Sequence, residues 1–365
     1  MGYEPLKLKG ERVWRTYVGG RMIDRLHGKE QGEDGHFPEE WMYSVTRAAN
    51  AGREEIVEGI SRLDDGSSRT LKEMLERQPD EMLGASHVKK WGVTPGVLIK
   101  IIDSRERLTI QVHPDKEKAR ELFHSPFGKT ECWHILGTRE DMDEEACIYL
   151  GFKEGITRDL WESCFEKQDY ETMLSLLNRI PVKPGETYLV RGGVPHAIGA
   201  GCLLIEIQEP TDYTIRVEKV TPSGFQIDDR MCHQGLGFER MFECFTFEGE
   251  SQERTKEKFC IRPQRLSQDR GDRYELAGYG DTPCFRMEKL ILEGDTGLKG
   301  EGGFSCLYVV SGKGILKTES RQYPLEKHGQ FFIPAEAGEY TVSANEASAS
   351  GGESLTLLRL YGPED

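Results

Sequence analysis

Short apolar runs broken by glycine and proline dominate the chain. Residues 97–102, 108–113, 202–208 and 213–217 read as strands, and so do 285–292, 305–310 and 330–334. Many short strands with this punctuation predict a sandwich or barrel rather than alternating βα units. A helical period appears in three places. Leu71, Met74 and Leu75 follow a cap at Ser67 or Ser68, and Pro79 interrupts them. Ala119, Leu122 and Phe123 share a face after Pro114. Leu160, Trp161, Cys164 and Phe165, then Met173, Leu174 and Leu177, recur at helical spacing across 157–179. That last stretch predicts a helical pair inserted between strands.

The texture changes near residue 248. Residues 249–270 are polar and mixed in charge, and short strands then resume. The expected organisation is a first domain over 1–248, with its helical insertion near 152–181, and a second jelly-roll domain over 249–365. Pro-Gly-Glu-Thr-Tyr-Leu-Val at 184–190 resembles His-Gly-Gln-Phe-Phe-Ile-Pro at 328–334. Each is a turn, a strand and a Gly or Pro corner, which points to two related barrels.

Charge narrows the partners. Among 365 residues, 48 basic side chains face 63 acidic ones, a net charge of −15. That balance argues against a nucleic-acid partner and against docking on an anionic membrane. The start lacks an apolar signal core, and no apolar run approaches the roughly 20 residues of a membrane span. The nine cysteines are scattered without a CxxC pair. Reduced thiols in the cytoplasm are therefore expected, rather than disulfides or a cysteine metal site.

The chemistry concentrates in three segments. In Leu-Thr-Ile-Gln-Val-His-Pro-Asp at 108–115, strand alternation puts Thr109, Gln111 and His113 on one face and Ile110 and Val112 on the other. A Thr/Gln/His face opposite an apolar one makes sense at a barrel mouth. In Gly-Lys-Thr-Glu-Cys-Trp-His at 128–134, Glu131 and Trp133 share a face, so His134 points away and is structural. A Gly-bounded strand over 184–192 then leads through a tight turn to Pro195-His196. Gln111, His113, Glu131 and His196 form a mixed nitrogen and oxygen donor set, suited to zinc and other borderline divalent ions. The other histidines, His27, His36, His87, His124, His233 and His328, read as packed or hydrogen-bonded side chains. His328 has no ligand cluster around it in sequence, so the second barrel is expected to be metal-free.

These segments, in this order and spacing, resemble the type I mannose-6-phosphate isomerases, which are zinc enzymes of the cupin superfamily. The run from Leu204 through Glu206 and Thr211-Asp212 to Arg216 is similar to that family's segment carrying a glutamate, a small-residue–Asp pair and an active-site arginine. The resemblance is clearest over residues 95–217. It implies a mainly β fold of two cupin-like jelly-roll barrels. It implies one zinc per chain on Gln111, His113, Glu131 and His196, with Arg216, Lys129 and Glu206 catalytic. Thr109 and Lys100 stand where the family contacts the sugar phosphate. There are departures: Val-Glu-Lys-Val-Thr-Pro follows Arg216, Glu209-Pro210 replaces the usual pair, and the N-terminal Trp-Gly-Gly is missing. They bear on sugar specificity more than on metal binding.

The implied reaction interconverts an aldose and a ketose phosphate through an enediol, here mannose 6-phosphate and fructose 6-phosphate. It needs a base near two adjacent carbons, an electrophile for the oxyanion and an anchor for the phosphate. The expected partner is a small sugar phosphate, and the expected state is a monomer or weak homodimer. Two other classes compete: a metal-dependent cupin oxygenase using iron(II), and a regulatory bicupin that binds a sugar phosphate without turnover. In an acidic protein, the substrate reading also predicts a locally positive cleft, made by a dication with Lys100, Lys129 and Arg216 and partly offset by Glu131 and Glu206.

Overall fold

Alternation along one buried strand sets the layering. In Leu98–Asp103, Ile99 and Ile101 enter one apolar core, while Lys100 and Ile102 face the opposite way. A strand buried on both faces needs a layer on each side. The computed structural model, which describes residues 3–50, 52–267, 271–299, 303–345 and 354–365, shows both layers.

The strand belongs to a seven-stranded sheet whose neighbours, in order, are Cys260–Ile261, Thr187–Val190, Glu131–Thr138, Cys202–Gln208, Leu98–Asp103, Glu39–Met42 and Glu11–Val13. On one side lies a five-stranded sheet containing Gln111–Val112 and His196–Ile198. Trp133, Ile148, Leu150, Val190, Ile198 and Leu204 fill part of the space between them. On the other side lies an eight-stranded sheet. Ile99, Ile205 and Ile207 meet Met287, Cys306, Phe332 and Leu358 across that seam. A four-stranded sheet closes the far side over Leu307, Val309, Leu316, Phe331, Val342 and Leu357. The whole is a mainly β protein.

The inner sheets repeat one connectivity. In the seven-stranded sheet, Thr187–Val190, Glu131–Thr138, Cys202–Gln208 and Leu98–Asp103 are successive neighbours. In the eight-stranded sheet, Gln330–Ile333, Ser305–Ser311, Leu355–Tyr361 and Arg286–Leu292 follow in the same relative order. The two segments whose sequences resemble each other, 184–190 and 328–334, hold equivalent places in it.

The halves also exchange strands across the position where the texture changes. Leu6–Lys9 pairs with Gln330–Ile333, and Cys260–Ile261 pairs with Thr187–Val190. Composition responds to what a segment contains, not to which sheet it completes.

The expected helices exist with corrected limits. The stretch 157–179 is helical only over Arg158–Lys167 and Tyr170–Ser175, capped by Thr157 and Asp169. Leu177–Pro181 is instead a strand pairing with Cys147–Phe152. The first helix is capped by Thr70, not by Ser67 or Ser68. Its hydroxyl accepts from the Glu73 N–H while the Glu73 carboxylate accepts from the Thr70 N–H. Pro79 does not simply end it: Pro79–Leu83 starts a new helix with proline in its first turn. The helix after Pro114 is Lys116–Phe123, capped by Asp115.

Two expected strands are shorter than their sequence pattern. Of 108–113 only Gln111–Val112 is strand, because the Ile110 N–H donates to the Glu218 carboxylate rather than to a neighbouring strand. Of 213–217 only Ile215–Arg216 is. Among the described residues, no helix is long and apolar enough to cross a membrane.

Candidate metal centre and active-site cavity

The first sheet pair encloses polar side chains at positions that strand alternation points inward. His113, Glu131 and His196 come from three segments, and one potential ligand atom of each lies within 4.8 Å of the others. His113 Nε2 is 3.0 Å from Glu131 Oε1, and His196 Nε2 is 3.7 Å from Glu131 Oε2. Backbone carbonyls fix both rings from behind: Nδ1 of His113 bonds to Tyr213 O at 2.8 Å, and Nδ1 of His196 to Val194 O at 2.8 Å. Both Nε2 atoms are thereby left as acceptors facing the carboxylate.

Gln111 is opposite His196 in the strand ladder and lines the same cavity as Glu131. His196 Nε2 is buried without any hydrogen-bond partner. An orphaned imidazole nitrogen beside a buried carboxylate and a second imidazole fits a cation. Burial lowers His113 to about 3 and lowers His196 as well, so both rings are neutral ligands at physiological pH. His134 points away, and its Nδ1 meets the Thr187 hydroxyl at 2.9 Å.

Two lysines enter the cavity, Lys100 from the strand Leu98–Asp103 and Lys129 from the segment just before Glu131–Thr138. Lys129 Nζ is 2.7 Å from Glu131 Oε1 and 2.9 Å from His113 Nε2. Burial lowers its pKa, and Glu131 offsets this only in part. Lys100 Nζ is 3.0 Å from Glu206 Oε1 and 4.0 Å from Glu39. Burial alone would lower Lys100, but these two carboxylates outweigh it and its pKa is raised. Glu206 also accepts from Trp133 Nε1 at 2.8 Å, and burial beside Glu131 raises its pKa. Lys100 is thus held by carboxylates inside the cavity.

Arg216 lines both the inner cavity and its outer mouth. Its Nη1 donates to Thr214 O and Met231 O, and no ion pair ties it to Glu206 or to Glu218, which is engaged by Arg107 at 2.7 Å. Thr109 is buried on the same wall.

Sequence reasoning missed a third group of cavity residues. Arg15 bridges Glu39 at 2.9 Å and Asp212 at 3.2 Å. Tyr17 and Trp41 donate to Glu39, each at 2.7 Å. Arg15 holds Glu39 and Asp212 at about 2 despite their burial. The Thr211-Asp212 pair was visible within a motif; Arg15 and Glu39 gave no local signal, because they meet only through sheet order. The inner cavity therefore carries Arg15, Lys100, Lys129 and Arg216 against Glu39, Glu131, Glu206 and Asp212. The side chains alone balance; the positive cleft expected from sequence counted a dication beside them.

Comparison with known proteins returns matches to one family. Residues 53–128 match the family model for the phosphomannose isomerase type I catalytic domain, and residues 279–349 match that for the mannose-6-phosphate isomerase cupin domain. A Bacillus subtilis relative, "Probable mannose-6-phosphate isomerase GmuF", is 27% identical over 287 residues, covering 78% of this chain and 84% of its own. A mannose-6-phosphate isomerase of Streptococcus mutans is 28% identical over 279 residues, covering 75% and 81%. The crystal structure of the mannose 6-phosphate isomerase from Bacillus subtilis superposes with a TM-score of 0.73 at 24% identity, over 98% of this chain and 100% of that one. A zinc-bound mannose 6-phosphate isomerase structure gives 0.70 at 15% identity, over 99% and 100%. At these identities the structures speak to the fold.

Proposed function

We propose that this chain, which belongs to the type I phosphomannose isomerases, interconverts mannose 6-phosphate and fructose 6-phosphate with one zinc ion in the first of two cupin-like jelly-roll barrels. The observation that carries the reading is the convergence of His113, Glu131 and His196, with Gln111 alongside, in a cavity that also presents Arg216. Residues 1–248 supply the catalytic barrel and 249–365 a second one, with strands exchanged at the seam.

Gln111, His113, Glu131 and His196 would hold the ion. When bound, a zinc ion polarises substrate oxygens and supplies the positive excess that the balanced side chains lack. The protein's own residues do the rest. The proton moving between adjacent carbons passes by way of Lys129 or Glu206, the buried groups whose pKa values are displaced toward neutrality. Arg216 offers its guanidinium fork to the developing oxyanion or the phosphate. Thr109 contributes a hydroxyl on the same wall. Lys100 is tied to Glu206 and Glu39, so it acts by orienting Glu206 and sets the field around the sugar phosphate from behind.

The test is a coupled assay with mannose 6-phosphate before and after chelation, and again after zinc is restored. Turnover that survives complete metal removal would sink the zinc role. Sugar-phosphate binding without turnover at full zinc occupancy would favour the regulatory reading, and iron-dependent oxygen uptake the oxygenase.

A further inference from the structure

Lys129 lies just outside the sheet. The strand that follows it begins at Glu131, and the pairing of that strand with Cys202–Gln208 ends where Glu131 meets Gln208. Strand alternation therefore does not by itself fix where Lys129 points. Its side chain is nevertheless only 4% exposed, and its ammonium stands 2.7 Å from Glu131 Oε1 inside the cavity. Other contacts must hold its backbone.

The residue just past the ladder supplies them. Glu209 is buried. Its Oε1 accepts from the Gly128 N–H at 3.2 Å and its Oε2 from the Thr130 N–H at 3.0 Å, so the carboxylate brackets Lys129 from both sides. The Glu209 N–H donates to Thr130 O at 3.1 Å, and the Thr211 hydroxyl donates to Gly128 O at 2.7 Å. The Lys129 N–H donates to Pro114 O at 3.0 Å. Gly128 lets this loop lie against the segment next to His113: a Cβ there would come within 2.8 Å of the Pro114 and Asp115 backbone. Lys116 Nζ approaches the carboxylate at 3.6 Å from the outer side. A carboxylate accepts at both oxygens, and hydrogen bonds to it are stronger than neutral ones. A glutamine here would set its NH2 against one of the two N–H groups.

We propose that Glu209 is a positioning residue for the isomerisation: its carboxylate clamps the Gly128–Thr130 loop and so sets the Lys129 ammonium where the proton is transferred. The proposal rests on the reading of Lys129 as a proton-transfer group and adds the part that holds it. Glu131 does not depend on this clamp, because it pairs within the sheet with both Val190 and Gln208. Loss of the clamp therefore misplaces the lysine and leaves the donors of the metal centre where they are. It also gives a purpose to one departure in the sequence, the Glu209-Pro210 that stands in place of the usual pair.

The test measures kcat, KM and bound zinc for the zinc-loaded full chain carrying Glu209→Gln, Lys129→Ala or both. Glu209→Gln should lower kcat by about 10–10²-fold, the loss that a displacement near 1 Å brings, while KM and zinc content stay near those of the natural chain. Lys129→Ala should lower kcat at least as far. Adding Glu209→Gln to Lys129→Ala should cost nothing more, since residues that act through one group are not additive. Should Glu209→Gln fail to fold, Glu209→Asp takes its place in the same comparisons: it keeps the charge beside Lys116 but is too short to reach both N–H groups. A natural kcat in the folded Glu209 variant beside an impaired Lys129→Ala overturns the proposal alone, and so does a full further loss in the double variant. A natural kcat in Lys129→Ala overturns the reading of Lys129 and the proposal with it.

Discussion

The two sheet pairs share an arrangement and differ in what they enclose. Between the seven- and five-stranded sheets, inward positions carry His113, Lys129, Glu131, His196 and Glu206. Between the eight- and four-stranded sheets they carry Leu290, Leu307, Val309, Phe331, Leu355 and Leu357. Strand pairing and alternation therefore do not distinguish a catalytic interior from a filled one; the inward side chains do. The first interior is stable because each buried charge meets an opposite charge. The second is filled mainly by apolar side chains, and its few buried charges are bonded as well: Glu288 pairs with Arg273 at 2.8 Å, and Arg359 donates to the Ser305 hydroxyl.

The largest expected effect compares the arginines of the two interiors. Arg216→Ala should reduce turnover by about 10²–10³ while zinc content and melting temperature stay near those of the natural protein. Arg359 is the buried arginine of the second half, with Nε on the Ser305 hydroxyl at 3.2 Å. Arg359→Met should shift the unfolding midpoint and leave the rate of the folded enzyme intact. Steady-state kinetics and denaturant titration on both variants decide it.

The next effect probes charge pairing itself. Lys100→Met leaves Glu206 buried beside Glu39 and Glu131 without its cation. A loss of about 3–5 kcal/mol of stability is expected, as for other broken buried pairs. Lys100→Met with Glu206→Gln should regain much of it while remaining inactive. Equal midpoints for the single and double variants would show that the pair is not what holds this interior. In the second half, Leu307→Ala should cost about 2–5 kcal/mol by leaving a cavity, with the catalytic rate unchanged in the folded fraction.

How much of this was legible in the sequence follows from the range of each interaction. Gln111, His113, Glu131 and the outward turn of His134 were legible because alternation acts within one strand. The Thr70 capping box was legible too, since Thr70 and Glu73 stand at the right spacing, and the serines upstream drew the expected cap away from it. Arg15 and Glu39 were not legible. They meet Lys100 and Asp212 only because Glu39–Met42 pairs with Leu98–Asp103, a contact that no local pattern encodes. The contact between the His27 and His328 rings was hidden likewise, since the two lie some 300 residues apart and meet near the strand exchange that carries Leu6–Lys9 to Gln330–Ile333.

The smallest expected effect is a pH dependence at the seam. His134 faces the second half, where burial and Lys289 lower it to about 4. In the unfolded chain it titrates near 6.5. Between these values the unfolded chain binds the extra proton, so stability rises with pH across that window. The contribution is complete above about 6.5 and is lost as pH falls toward 4; the part lost by pH 5 is about 2 kcal/mol. His134→Gln keeps a partner for the Thr187 hydroxyl but cannot titrate. Chemical denaturation at pH 7 and pH 5 should show the natural protein losing more stability than this variant. Equal losses would mean that the charge-sensitive groups lie wholly within the first interior, and the seam would then join the apolar side of the comparison.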